Sequence, residues 1–404
     1  MSKQSTACCI VGGGPAGAVL ALLLARQGVP VTLLEQHTSF DRDFRGDVLH
    51  ASVMEIMDQL GLIDRLFELP HTKIFSAIVD SPEGSIVLDF GMIRSKYPHL
   101  TTIHQSQFLA FIVSEASQYD HFKYVMGAKV IELLKENDLV RGVKFRKNQE
   151  VHEVEANVTI AADGRFSTVR KLSGMEPMSL TRPIDVIWFR VPRNEGDPEH
   201  LFNRSRNGSM LACVNRGDYW QMGMFIPKGT FPQIQAKGME SMQQTLGNLV
   251  PEFAERFAGL SDWKSFSILS ASSSRLKKWY MPGLLFIGDA AHTMSPLGAV
   301  GINYAIQDAV VAANVLAHPL QMGGVTLKHL ASVQKQRELP TKLIQAYQGV
   351  MQKQVIDSVL NNRKSSPGFK LVKRFKWLRK LIVILVTSGF RRVRIQDQSS
   401  MRAL

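Results

Sequence analysis

Three glycines at fixed spacing, Gly12-x-Gly14-x-x-Gly17, stand between an apolar run and an Ala/Leu-rich stretch. No other feature narrows the choice of fold as far. Residues 6–11 read as a buried strand, Pro15 to Gln27 as a helix closed by Gly28, and Val31 to Glu35 as the next strand. Connections this short make the unit βαβ, with parallel strands and the helix on one face. Gly12 permits the tight turn, Gly14 lets a backbone approach a pyrophosphate, and Gly17 lets helix and strand pack closely. Pro15 and Ala16 open the helix, whose free amides favour phosphate, and Glu35 ends the second strand where it can accept ribose hydroxyls. The expectation is a bound dinucleotide, NAD or FAD.

A second motif, "LLFIGDAAHTMSPLGAVGINYAIQDA", begins at Leu284. A short buried strand ends in Gly288-Asp289. An acid there suits the hydroxyls of a sugar-alcohol chain, which FAD has and NAD lacks. Pro296 and Gly298 allow the chain to pass close over a flat ring, and Gly301 turns it into a helix from Ile302 towards Ala317. The amide end of that helix can stabilise negative charge on a reduced flavin.

With a third stretch, "AADGRFSTVR", these motifs carry a likeness in order and spacing from residue 6 to about 316. The chain resembles the FAD-dependent aromatic hydroxylases of the para-hydroxybenzoate hydroxylase type, including quinone-biosynthesis and polyketide hydroxylases. The resemblance implies that Asp163, with Arg170 nearby, helps to hold FAD, that Asp289 binds its ribityl chain, and that the amides of Ile302 and Asn303 face the pyrimidine edge. It also matches Arg45 to an arginine near the phosphates and active-site rim, Gln105 to a ribityl or phosphate contact, and Val130 to a main-chain contact with adenine. Asp163 read alone is a strand-ending Asp-Gly turn. His292 reads as a packing or capping residue, and the tripeptide at 45–47 as a chance match to an adhesion motif.

The implied activity is hydroxylation of an aromatic or quinone-like molecule: NAD(P)H reduces FAD, and O2 gives a flavin hydroperoxide whose distal oxygen is transferred. A single GxGxxG fits a nicotinamide cofactor that visits briefly. Arg45, Asp47, His50 and Pro296 are the candidate catalytic residues. Two alternatives share the fold: a flavin-dependent reductase of prenyl or polyene chains, and a non-catalytic escort-type carrier, which the intact motifs disfavour. The W-x-W-x-I-P signature of halogenases is absent from the sequence.

The fold class expected is α/β, a Rossmann-like FAD-binding domain (1–72, 106–180 and 281–362) with an inserted mixed-sheet substrate domain (73–105 and 181–280). Its strands "DVIWFRV" and "YWQMGMFI" supply candidate substrate walls: Trp188, Phe189, Tyr219, Trp220, Met222, Met224 and Phe225. Alternation sends Trp220, Met222 and Met224 to one face. A helical region from Thr326 to Val359 is expected to bend or break at Pro340.

Three cysteines, Cys8, Cys9 and Cys213, suit neither a disulfide framework nor a metal site and point to a reducing, cytoplasmic setting. Three glycines and Pro15 ahead of the apolar stretch Ala16 to Ala25 argue against a secretion signal. No run is expected to span a bilayer. Of the net charge of +13, residues 363–404 hold +11, with twelve Lys or Arg against one acid, Asp397. This basic amphipathic tail suits peripheral contact with an anionic membrane or packing on its own domain or a second copy. Nucleic acid is not expected, for want of a binding module. The oligomeric state is left open.

Overall fold

The computed structural model describes residues 3–40, 47–81, 84–180, 184–206, 208–354, 356 and 367–396. Its larger sheet has four parallel strands at its centre, Leu284–Phe286, Glu150–Ala161, Lys3–Val11 and Val31–Glu35, followed by Phe122–Met126 at one edge and Tyr280–Met281 at the other. Burial on both faces explains why these strands read as near-continuous apolar runs. Alternate side chains serve two cores. Cys8, Ile10, Val31, Leu33, Val158 and Ile160 face the helices Pro15–Arg26, Gln105–Ala116 and Gly301–Gln321. Cys9, Val11, Leu34, Ala161 and Phe286 face an antiparallel meander, Lys129–Glu136 and Leu139–Lys147.

The second sheet has seven strands in the order Ser267–Ala271, Ile184–Pro192, Tyr219–Pro227, Ser209–Asn215, Leu201–Arg206, Ser76–Ser81 and Gly84–Asp89. All neighbours are antiparallel except the pair Leu201–Arg206 and Ser76–Ser81. One face is covered by Phe231–Ala236, Met239–Leu249 and Ala254–Ala258, which share a core with Phe189, Phe202 and Trp220. A small sheet, Val48–Leu49, Leu100–Ile103 and His71–Ile74, lies between the two units in the chain.

The helix Leu327–Gln354 is not broken at Pro340; proline removes one amide and crowds one carbonyl, and the helix packs along Gly301–Gln321. One expectation needs correction. The stretch Leu297–Gln321 is long and apolar enough to cross a bilayer by length and composition, and 78% of its most apolar window is buried inside the protein. It is the core helix of the larger unit.

Within the basic tail the described part forms two helices, Pro367–Arg374 and Lys376–Ser388. Both lie against the edge strand Gly84–Asp89, so the exposed backbone edge of the second sheet is partly covered. Val383, Thr387 and Ser388 are buried. Beyond Gly389 the chain is pinned to the larger unit: Arg392 donates to the carbonyl of Arg94, and Asn314 exchanges hydrogen bonds with the backbone of Arg394 and Gln396.

Candidate functional site

All the motifs meet at the carboxyl ends of the four central strands. Glu35 ends one strand, the glycine turn follows the next, Asp163 follows the third and Asp289 the fourth. Three strand spacings separate the outer two, roughly 14 Å across the sheet edge. This edge is where open α/β sheets hold their ligands.

The glycines do what their spacing demands. Gly12 has φ +107°, and a Cβ there would lie 2.4 Å from the carbonyl oxygen of Ala162, so the turn needs both the left-handed backbone and the missing side chain. A Cβ on Gly17 would stand 1.9 Å from the carbonyl oxygen of Gly12, which fixes how closely helix and turn approach. Gly14 differs, since its missing Cβ faces open space. It is the N-cap of the helix opened by Pro15 and Ala16, and no side chain caps that end. Glu35 is buried; its carboxylate accepts the amides of Gly13 at 2.8 Å and His37 at 2.9 Å, bracing the turn. Val130 lies two residues beyond Ala128, whose amide donates to the Glu35 carbonyl.

The second motif packs directly on the first. A Cβ on Gly288 would meet Ala16 at 3.1 Å and Ala305 at 3.3 Å, so this strand end, the glycine-turn helix and the core helix touch at one point. Asp289 is half-buried beside it. Asp163 has both oxygens engaged, accepting the Ser167 hydroxyl and the Val169 amide. Burial raises its pKa, against the pull of the Ser167 hydrogen bond. Here the carboxyl shapes the turn into helix Thr168–Ser173. Arg170 rises from that helix and donates to the carbonyls of Ala290 and Arg165, locking the Asp163 turn to the Asp289 turn.

From Pro296 the chain makes two consecutive left-handed residues, Gly298 (φ +77°) and Ala299 (φ +51°), before the core helix starts at Gly301. No side chain caps that helix, so the first-turn amides that include Ile302 and Asn303 have no capping partner. The Asn303 side chain is occupied otherwise: its Oδ1 accepts the His50 amide at 2.7 Å, and its Nδ2 donates to the carbonyls of Val48 and Ala299.

Beneath this lies a cluster that the sequence reading did not assign. Asp308 is fully buried and accepts the Gly288 amide, His292 Nε2 at 2.6 Å and Arg337 Nε at 2.7 Å. Burial would raise its pKa, but His292 and Arg337 outweigh that and lower it. His292, its ring 4.8 Å from that of Trp279 and tilted by 45°, packs in this core. Asp308 stands inside the quoted motif, but nothing in the sequence pairs it with Arg337, which is 29 positions away on another helix.

Among the candidate catalytic residues, Arg45 lies outside the described residues. Asp47 is engaged on both oxygens: one accepts the Gln105 amide at 3.1 Å and the other the Arg216 guanidinium, which reaches over from a hairpin of the second sheet. Burial raises its pKa, and Arg216 opposes the rise. His50 meets the tail helix. It is buried, and its Nδ1 lies 2.8 Å from the Val386 carbonyl of the tail helix. Burial pushes its pKa down to about 4, despite the favourable carbonyls of Val386 and Gly298.

The substrate walls divide by parity. Trp220, Met222 and Met224 do share a face, but it is the face under the covering helices, packed with Leu246 and Phe253. The Trp220 indole donates to Asp197 at 2.9 Å. Phe189 lies in the same core. The opposite face carries Trp188, Phe225, Val186 and Met210, and Leu297 of the 296–300 loop packs against it. Trp188 lies across Gly223, where a Cβ would fall 2.9 Å from its ring, and its buried indole Nε1 has no hydrogen-bond partner among the described residues. Tyr219 points to this side too, at the rim, 3.2 Å from His104 Nε2 and beneath Arg190. A glycine inside "WQMGMF" was the available signal for the correct face, since a mid-strand glycine marks close approach.

The residues fit FAD: an open cradle at Gly14, two helix starts that no side chain caps, and a half-buried acid in the turn beside Gly288. Comparison with known proteins agrees. Residues 5–346 match the family described as FAD binding domain. The 6-methylpretetramide 4-monooxygenase of Streptomyces rimosus is 32% identical over 338 residues, 83% of this chain and 80% of that protein. The digeranylgeranylglycerophospholipid reductase of Thermoplasma acidophilum is 24% identical over 332 residues, 77% of this chain and 78% of that protein. In fold, the p-nitrophenol 4-monooxygenase PnpA of Pseudomonas putida superposes with a TM-score of 0.78 at 17% identity, over 97% of this chain and all of its own. The chain belongs to this FAD-binding family and is an FAD-dependent monooxygenase of the aromatic hydroxylase type.

Proposed function

We propose that the enzyme hydroxylates a planar, multi-ring phenolic or quinone-like molecule of the polyketide class. The observation that carries this reading is the aromatic ring of Trp188 laid on Gly223, in one apolar cluster with Leu297 of the 296–300 loop, with its indole N–H buried and unmatched among the described residues. A buried donor without a partner is costly, and a substrate carbonyl or phenolic oxygen would satisfy it. Flat apolar walls with one directed donor suit a fused aromatic better than a flexible prenyl chain. The sequence likeness to a pretetramide monooxygenase supports the same class.

FAD, when bound, supplies the NAD(P)H-driven two-electron reduction and the activation of O2. The protein's part follows from its residues. Gly12, Gly14, Pro15, Ala16 and Gly17 would hold the pyrophosphate at a helix start, and Glu35 the adenosine ribose. Asp289 would hold the ribityl hydroxyls. Pro296, Gly298, Gly301, Ile302 and Asn303 would carry the loop and amides that favour negative charge at the ring's pyrimidine edge. Trp188, Phe225 and Leu297 would orient the substrate and exclude water. Gln105 and Val130 would contribute backbone or rim contacts.

The test is NAD(P)H oxidation by the FAD-loaded enzyme across fused polyketide aromatics, simple phenols and quinone precursors, with mass spectrometry for the gain of one oxygen atom. Stimulation and oxygen gain with a fused aromatic are expected, and Trp188→Phe should raise KM about tenfold or more through loss of the donor. Saturation of a prenyl chain without oxygen gain would replace this reading with the reductase one. A Trp188→Phe variant with unchanged KM would remove its central observation.

A further inference from the structure

We propose that residues 367–396 dock the enzyme on the surface of an anionic lipid bilayer. The tail has two distinct ends. Its distal end is built into the protein: Val383 and Thr387 are buried, Val386 meets His50, and the chain after Gly389 is hydrogen-bonded to Arg94, Asn314 and Gln59. Its proximal end lies against the edge strand Gly84–Asp89 but leaves large apolar side chains exposed. Leu371, Phe375, Trp377 and Leu381 are 50%, 38%, 59% and 54% exposed within eleven residues, and Phe390 is 59% exposed beyond them. Trp377 and Leu381 are four apart and share one side of their helix.

Charge decides what this surface fits. Residues 367–396 hold nine Lys or Arg and no acid. Lys376 and Lys380 are exposed and flank the Trp377–Leu381 stripe. Large apolar side chains interleaved with cations match an interface that offers hydrocarbon below and phosphate above, with tryptophan at the boundary. A second copy of the chain would set the same cations against each other across a symmetry axis. A nucleic acid would match the charge but leave exposed aliphatic groups such as Leu371 and Leu381 in water. The bilayer satisfies both. The anchored distal end means that docking requires no unfolding of the helix that supports His50.

The experiment uses the full-length, FAD-loaded enzyme and vesicles of phosphatidylcholine alone or with phosphatidylserine. Flotation is expected with the anionic vesicles only and is expected to weaken as salt rises. Lys376→Glu/Lys380→Glu should reduce vesicle affinity about tenfold or more, and Trp377→Ala/Leu381→Ala should reduce it comparably. Both variants should keep wild-type flavin content and far-UV circular dichroism, since all four side chains are exposed. Equal flotation with neutral and anionic vesicles, or unchanged flotation of both variants, would overturn the proposal. So would a stable dimer in light scattering that Trp377→Ala/Leu381→Ala dissolves, or salt-sensitive RNA binding with no vesicle binding.

Discussion

His50 offers a measurement in which the structural reasoning sets both sign and size. Its side chain is buried under the 296–300 loop, and its pKa falls from 6.5 to about 4. An unfolded chain therefore takes up this proton before the folded one does. Above pH 6.5 the two states are equally unprotonated and the residue leaves stability unaffected by pH. As pH falls from 6.5 towards 4, the unfolded state binds more protons and stability is lost. The full gap corresponds to about 3 kcal/mol below pH 4, and about 2 kcal/mol of it is lost by pH 5. His50→Asn keeps a donor near the Nδ1 position for the Val386 carbonyl but cannot titrate. Urea unfolding of both proteins at pH 8 and pH 5, with excess FAD and intrinsic fluorescence as the signal, isolates this contribution as a difference of differences. The buried carboxyls Asp47 and Asp163, whose raised pKa values act in the opposite direction, cancel between the two proteins. Wild type should lose about 2 kcal/mol more than the variant on acidification. Equal losses, within about 0.5 kcal/mol, would refute the buried neutral histidine.

Two further substitutions probe the scaffold. Gly17→Ala places a methyl group 1.9 Å from the Gly12 carbonyl oxygen, so the purified protein should lack flavin, read as the ratio of visible to ultraviolet absorbance; a yellow variant would contradict the close approach. Asp308→Asn leaves Arg337 buried without its counter-charge and should cost about 3–5 kcal/mol in chemical denaturation. A loss below about 1 kcal/mol would show that His292 and Arg337 do not depend on that charge.

Local chemistry determined a good deal by itself. A turn that must pass under a carbonyl needs glycine, a strand that must end at a ligand can end in an acid, and a parallel sheet buried on both faces needs unbroken apolar runs. Those needs act over a few residues, so Gly12, Gly17, Glu35 and Gly288 were legible with their surroundings. The three-dimensional pairing decided the rest. Which face of Tyr219–Pro227 meets the 296–300 loop turns on a parity of one residue, and that parity is set by its partners in the sheet and by the helices that cover it. Trp220 and Trp188 are both aromatic, and only packing assigns one to the helix core and the other to the site. Asp47 and His50 lie beside a matched arginine in the chain, yet their partners, Arg216 from 169 residues on and Val386 from 336 residues on, are supplied by the fold. Asp308 and Arg337 meet only because two helices pack side by side. Such contacts leave no periodic trace in a single sequence, because the interaction energy belongs to pairs of residues that folding alone brings within reach.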